Sequence, residues 1–392
     1  MKKNILLLSF SHAMTVGANS LIVTSAALVA SQLAPDAALS TLPLGIVPLA
    51  TMLTTYPASM LMQRSGRRFG FAFGAICGLL GVLLLITGVS TDNFTIYCLG
   101  FLGAGTVRAF SQFFRFAAAD TVEESYKAKA ISLVMAGGVL GAFIGPNVAA
   151  ATKDLLSPPF LGTFYALGLL YALVFAMVLF LKIPHMKTDK TRHDARPLLQ
   201  IVRQPKLIIA LLSALIGFSV MSLLMTATPL AMRTYGHSFG GTASVIQWHV
   251  FAMYAPSFFT GHLIRRFGVL NIIIAGGIIN LFCTAIGMHG TSFLHFITCL
   301  SLLGLGWNFM FIGGTTLLTK CYRESERAKT QGLNDLLIFT IVTLAAFSSG
   351  ALLHAWGWAN LNTIAVPFIL IATAATFWLK LHLKRMPVPA PA

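Results

Sequence analysis

The sequence predicts an all-helical membrane protein in which twelve spans form two related six-helix halves. Three observations support this: an apolar composition, twelve apolar stretches of spanning length, and loops that recur about 200 residues apart. Of the 392 residues, 56% are hydrophobic and only 10% are charged, whereas soluble domains carry about 25% charged residues. So few charges cannot cover a soluble surface, which excludes a cytosolic enzyme, a secreted domain and a disordered chain.

Each of the twelve stretches is long enough for a transmembrane helix, which needs about 20 mostly apolar residues. They lie at 5–32, 40–62, 69–89, 93–117, 128–151, 160–181, 206–231, 241–263, 269–288, 292–319, 328–353 and 360–382. Pro and Gly inside them are tolerated because neighbouring helices satisfy the freed backbone groups. The first stretch is too long for a signal peptide and precedes further spans, so we expect it to be retained.

Basic residues fall almost entirely on one side of this topology. If the chain starts in the cytoplasm, 23 of the 27 Lys and Arg lie at the termini or in cytoplasmic segments, two (Lys153 and Arg233) lie opposite, and two lie inside span four. The asymmetry predicts a multi-pass inner-membrane protein with both termini in the cytoplasm. The formal net charge of +16 then reflects topology, and we expect contact with lipid and no nucleic-acid partner.

The longest hydrophilic stretch divides the chain after span six. We expect an N-terminal bundle at 1–182, a flexible charged cytoplasmic linker at 183–205, a C-terminal bundle at 206–383 and a disordered tail at 384–392. The loops of the two bundles resemble each other. Ser59–Arg68 and Gly261–Gly268 both read small-x-Leu-x-x-Arg-x-Gly. Two six-span halves in parallel repeat are the plan of one large class of transporters.

The loop after span two resembles the signature of the major facilitator superfamily, G-x-L-x-D-R-x-G-R-R. The matching positions are Leu61, Arg64, Gly66, Arg67 and Arg68. Ser59 and Gln63 depart from the pattern, and Gln63 removes the acid that the family places in this gate. The resemblance implies the twelve-helix fold of that family and a contact between Arg67 and Asp120 in a cytoplasmic gate. It also assigns to that gate Arg64, Gly66, Arg68, Arg265, Arg266 and Gly268.

The chain carries one acid inside a span, Asp335, about two turns from the cytoplasmic start of span eleven. An intramembrane carboxylate is costly, so Asp335 is the first candidate for proton coupling, followed by His249 and His12. The alternatives are a structural ion pair or a contact near Gln63 for Asp335. For the histidines, the alternative is a hydrogen bond to a neighbouring helix.

Arg108 lies inside span four, and Gln112 follows one helical turn later on the same face. An intramembrane arginine needs a partner, so we expect Arg108 and Gln112 to bind an anionic or carbonyl-bearing solute; the alternative is a structural arginine bound to backbone carbonyls. The resemblance implies that spans one, four, seven and ten line a central cavity. It therefore adds Asn19 of span one and Trp307 and Asn308 of span ten, although Trp307 equally suits packing against a helix.

The sequence predicts a secondary transporter that moves a small organic solute by alternating access, with proton coupling and no cofactor or metal. The nucleotide-binding, hydrolase and metalloprotease motifs that would indicate an enzyme are missing. Gly137–Pro146 is similar to a family motif typical of exporters, which favours efflux slightly. The alternatives are uptake of a flat vitamin-, nucleobase- or metabolite-like solute and, from another class, a non-transporting sensor or integral enzyme. We expect a monomer.

Overall fold

A computed structural model describes residues 2–123, 127–183 and 196–385, and within these ranges it contains helices and no strand. The first six spans are built by the helices Lys2–Leu33, Leu42–Ser65, Arg67–Ser90, Phe94–Ser111 with Phe114–Ala119, Lys127–Thr152 and Leu161–Leu179. The last six are built by Pro205–Thr234, Phe239–Tyr254 with Ser257–Phe267, Val269–His289, Phe293–Leu318 and the two parts of Arg327–Arg385. The side that carries both termini is called the terminal side, and the other is the far side.

Ten helices in the described ranges are long and apolar enough to cross a membrane. Span eight is missed by this criterion because it breaks between Tyr254 and Ser257 into two short helices. The segment Lys329–Lys384 consists of two helices in direct succession. As one straight helix its 56 residues would measure about 84 Å, far more than a bilayer core of about 30 Å. It turns at Gly357, where φ is 76°, and thus supplies spans eleven and twelve.

Spans one and five pack with their backbones in close approach. A Cβ atom placed on Gly137, Gly141 or Gly145 would lie 2.2, 2.6 or 2.1 Å from a backbone oxygen of span one. Only glycine permits this contact, and its repeat every four residues keeps the three positions on one helix face. The exporter-like motif of span five is therefore a helix-packing surface in this chain.

On the terminal side, both halves join consecutive spans through one glycine with positive φ. Gly66 (φ 85°) connects spans two and three, and Gly268 (φ 86°) connects spans eight and nine. In the first half, Arg67 Nε donates to Asp120 Oδ2 at 2.6 Å, so the expected contact is present. Arg265 and Arg266 at the second loop are exposed.

Part of the predicted linker is helical. Residues 184–195 and 386–392 lie outside the described ranges, but Leu198–Val202 forms a helix whose Ile201 is fully buried. Arg196 Nε donates to Glu326 Oε1 at 2.7 Å. Together with backbone N–H groups of Arg196 and Arg323, the Arg196 guanidinium holds the pKa of the Glu326 carboxyl well below its usual range. A buried carboxylate needs such a partner, so the segment is fixed to the second half.

Candidate functional site

A cavity lies between the two halves near the middle of the bundle. It encloses about 1140 Å³ of space free of protein atoms, including the part open to solvent. Spans one, two, four, six, seven, eight and eleven supply its wall. Span ten, which the structure describes completely, supplies no residue to the lining of this cavity, although the sequence analysis expected it to.

The first half supplies a polar side of the cavity wall. Span one contributes His12 and Asn19, and span four contributes Arg108, Ser111 and Gln112. The three residues of span four lie at or next to its interruption between the helices Phe94–Ser111 and Phe114–Ala119. The sequence-predicted residues of spans one and four are therefore brought together at one site.

Arg108 has few partners for a cation at this depth. Its Nη1 lies 3.5 Å from Asn19 Oδ1, at the limit of a hydrogen bond, and within the described ranges it pairs with no carboxylate. A guanidinium carries five N–H donors in a planar fork. Because most of these donors remain free beside the cavity, the site is built to receive an acceptor-bearing group.

His12 and Tyr254 meet at this site from opposite halves. Their ring centroids are 6.3 Å apart with the rings nearly perpendicular, and neither ring nitrogen of His12 has a partner in the described structure. Tyr254 also lies within electrostatic range of Arg108. The sequence analysis did not select Tyr254, which lies two residues before Pro256.

The second half supplies a mostly apolar wall. Span seven presents Phe218, Met221 and Met225, and spans eight and eleven add Met253 and Val342. Methionine and phenylalanine give an adaptable, polarisable surface suited to a flat ring. Phe218, Met221 and Met225 recur at helical spacing in span seven, but nothing in the pattern separated a cavity wall from ordinary packing.

Trp307, which the sequence analysis expected in the cavity, lies behind this wall in the structure. Its ring stacks on Phe311 at 5.0 Å between centroids and 10° between planes. Phe218 packs edge-on against it at 5.5 Å and separates it from the cavity. The tryptophan therefore supports the wall through packing.

Asn308 is also outside the cavity, and it satisfies the break in span eight. Its Nδ2 donates to Met253 O at 2.7 Å and to Ser257 Oγ at 2.8 Å, while its Oδ1 accepts from Thr260 at 2.7 Å. Pro256 cannot donate a backbone hydrogen bond, so the broken helix leaves polar groups that need partners. Asn308 supplies them, and its fully buried amide faces span eight.

The two remaining candidates for proton coupling lie in different surroundings. His249 is fully buried, and its Nδ1 lies 2.7 Å from Leu300 O, so it joins spans eight and ten away from the cavity. Asp335 is exposed, accepts from Asn334 at 2.9 Å and lies within electrostatic range of Arg115 of the other half. Arg115 of span four and Asp335 of span eleven both lie toward the terminal side, and among the described residues they form no ion pair.

Comparison with known proteins identifies the family. A sequence profile of the Major Facilitator Superfamily matches residues 8–256 and again residues 230–392. The chain belongs to the Major Facilitator Superfamily. A riboflavin transporter of Brucella anthropi, RfnT, is 38% identical to this superfamily member over 371 residues, which cover 94% of this chain and 93% of the relative. The uncharacterized MFS-type transporter YdeG of Bacillus subtilis is 31% identical over 352 residues, covering 84% and 80%.

Solved structures of superfamily transporters share the fold. A bacterial homologue of the human lysosomal transporter Spinster aligns with a TM-score of 0.72 at 16% identity, covering 98% of both chains. A mutant form of the nucleoside transporter NupG aligns with a TM-score of 0.74 at 12% identity, covering 96% of this chain and 99% of that one. This superfamily member is therefore a multi-pass membrane transporter of a small solute and not an enzyme.

Proposed function

We propose that this transporter imports a flat, acceptor-rich organic solute, with riboflavin as the first candidate. The observation that carries the proposal is Arg108, a cation with free donors that faces a wall of Phe218, Met221 and Met225 across one cavity. The likeness to RfnT along nearly the whole chain supports riboflavin within that chemical class. We place the protein in the inner membrane with both termini cytoplasmic, as the distribution of Lys and Arg indicates.

Riboflavin has the chemistry that this cavity suits. Its tricyclic ring is flat and aromatic, with carbonyl oxygens and ring nitrogens along one edge and a hydroxylated tail. In our proposal Arg108 donates to the carbonyl edge, and the methionine and phenylalanine side chains cover the ring. Asn19, Gln112 and Ser111 then remain for the hydroxyl groups of the tail.

Efflux, which the Gly-Pro motif of span five favours, is the second candidate direction. The glycines of that motif pack span five against span one, a role that serves transport in either direction. We therefore take no direction from the motif, and we propose uptake, the direction that the sequence associates with a flat, vitamin-like solute.

Proton coupling through Asp335 is part of the proposal. Asp335 and Arg115 belong to opposite halves and lie within electrostatic range of each other on the terminal side. We infer that protonation of Asp335 weakens its attraction to Arg115 and favours separation of the halves there, whereas deprotonation favours their closure.

The test uses purified protein in liposomes with a controlled pH difference and radiolabelled riboflavin. We expect uptake that rises when the side opposite the termini is more acidic. In Asp335→Asn the uptake should no longer respond to the gradient. Asp92→Asn is the matched control, because Asp92 is an exposed loop acid with φ 49°, a conformation that Asn also adopts.

Three outcomes separate the parts of this proposal. Absence of riboflavin flux in either direction would contradict the substrate assignment. Gradient-driven export would contradict uptake and support the second candidate. If the flux is affected neither by the gradient nor by Asp335→Asn, proton coupling is contradicted and the substrate assignment stands.

A further inference from the structure

A second cavity opens on the far side, where spans one, seven and eleven end. It encloses about 1170 Å³ of space free of protein atoms, including the part open to solvent. Its lining includes Ser31, Arg233, Tyr235, His354 and Trp358. We call this cavity the far vestibule. It is separate from the central cavity, with which it shares no lining residue.

Arg233 is the cation of the far vestibule, and its partner is a neutral hydroxyl. Its Nη1 donates to Ser31 Oγ at 2.9 Å, which joins span seven to span one and so joins the two halves. Lys153, the other far-side cation, already pairs with Asp154 at 2.8 Å. The exposed guanidinium of Arg233 therefore has free donors facing the vestibule.

The central cavity repeats this arrangement deeper in the bundle. There Arg108 also approaches a neutral acceptor from span one, Asn19. Asn19 and Ser31 lie on the same helix, 12 residues apart, which corresponds to about 18 Å along its axis. One helix thus carries the neutral partner of each arginine, one at the far side and one at the middle of the protein.

Contacts beside the vestibule also join the two halves on the far side. Thr41 Oγ1 of span two accepts from Gly350 N at 3.0 Å and donates to Phe347 O at 3.3 Å, both in span eleven. Gly350 also lines the vestibule. A ligand that accepts hydrogen bonds from Arg233 therefore binds next to contacts between the halves. These contacts must separate before the central cavity opens to the far side.

We propose that the far vestibule is a second binding site for the transported solute, in which the solute replaces Ser31 as the acceptor for Arg233. The class of ligand is the one assigned to the central cavity, a flat solute with carbonyl or hydroxyl acceptors, so this inference rests on the proposed function. Binding then has two effects: it holds the solute at the far side, and it removes one hydrogen bond between the halves.

Two substitutions distinguish solute binding at Arg233 from a purely structural contact between Arg233 and Ser31. Ser31→Ala removes the bond between the halves and leaves Arg233 free for the solute, whereas Arg233→Gln removes both. With riboflavin uptake into proteoliposomes as the readout, we expect Arg233→Gln to raise KM about tenfold, the effect of one lost charge-assisted hydrogen bond. Ser31→Ala should either leave KM unchanged or lower it. Arg233→Lys should fall between the wild type and Arg233→Gln.

A second measurement follows the contact between the halves without any solute. Thr226→Cys places a thiol in the central cavity, and a membrane-impermeant maleimide added on the far side reports access to it. The chain without this cysteine gives the background. We expect Ser31→Ala and Arg233→Gln each to raise the labelling rate severalfold, because each removes the same bond. All variants are first checked for a monodisperse elution profile.

The outcomes distinguish this inference from the proposed function. If wild-type protein transports riboflavin but Arg233→Gln keeps the wild-type KM, the vestibule site is contradicted and the central site stands. If Ser31→Ala and Arg233→Gln raise KM equally, Arg233 is only a structural contact, and the capture site is again contradicted. If labelling is unchanged in both variants, the bond does not control opening. If the wild type neither binds nor transports riboflavin, both proposals fail.

Discussion

The two halves of the transporter share a plan but treat their central polar residues differently. In the first half, Arg108 and Gln112 of span four face the cavity. In the second half, span ten occupies the related place, yet Asn308 turns to the break in span eight and Trp307 packs behind Phe218. The cavity is therefore polar and cationic on one side and mostly apolar on the other.

This difference shows that an internal repeat fixes the fold more strongly than the chemistry. Both halves need a helix at each equivalent place, because six packed spans form each bundle. A buried polar side chain, however, forms hydrogen bonds with nearby buried groups that would otherwise have no partner. In the second half that group is the interrupted backbone near Pro256, so the asparagine is not free for the solute.

The largest expected effect tests the cationic side. In Arg108→Ala the cavity loses the donors proposed for the carbonyl edge of riboflavin, and affinity should fall about 100-fold, or about 3 kcal/mol. Arg108→Lys, which keeps the charge but not the planar fork, should recover part of it. Riboflavin fluorescence quenching by protein in nanodiscs measures both. Wild-type affinity in Arg108→Ala would contradict the role of Arg108.

The next effect tests the structural role of Asn308. Asn308→Ala leaves polar groups of span eight unsatisfied and should lower the free energy of unfolding by about 2 kcal/mol. Riboflavin affinity of the protein that remains folded should stay within about twofold. Asn360→Ala is the control, since Asn360 is exposed and donates to Trp356 O. If Asn308→Ala has normal thermal stability but binds riboflavin weakly, the structural role is contradicted and Asn308 belongs to the solute site.

A smaller effect tests the apolar wall. Met225 is half-buried and lines the cavity, so Met225→Ala removes part of the surface proposed to cover the ring. Affinity should fall about fivefold, or about 1 kcal/mol. Met225→Leu, which keeps the volume, should fall less. Equal affinity in all three proteins, measured by the same titration, would show that the ring lies elsewhere.

The smallest effect concerns the charges on the terminal side, where the halves also differ. The first half pairs Arg67 with Asp120, whereas in the second half Glu326 pairs with Arg196 of the connecting segment. Because Arg196 lowers the folded-state pKa of Glu326, this pair stabilises the protein above the usual carboxyl pKa near 4.5. The stability is lost as pH falls below that value toward the folded-state pKa.

The corresponding measurement is the melting temperature as a function of pH. Wild-type protein should lose more stability than Glu326→Gln on acidification from about pH 6 into the region below about 4.5, because the variant has no carboxylate to protonate there. Parallel curves for the two proteins would show that the pair contributes nothing to stability.

The sequence was sufficient for the fold because hydropathy and charge report directly on helix length and membrane side. It selected Arg108 and Gln112 because an intramembrane arginine is costly, and Asn19 through the family resemblance; all three line the central cavity. It could not assign Asn308, because its partners lie about 50 residues away, around Pro256. Nor could it find the Arg196–Glu326 pair, which joins residues 130 positions apart.

The most direct test is a structure of the transporter with riboflavin bound. We predict that the carbonyl edge of the ring lies within hydrogen-bonding distance of Arg108, and that Met221 and Met225 contact its face. A bound ring that contacts Trp307 and Asn308 and leaves Arg108 without a solute partner would contradict the division of roles between the two halves.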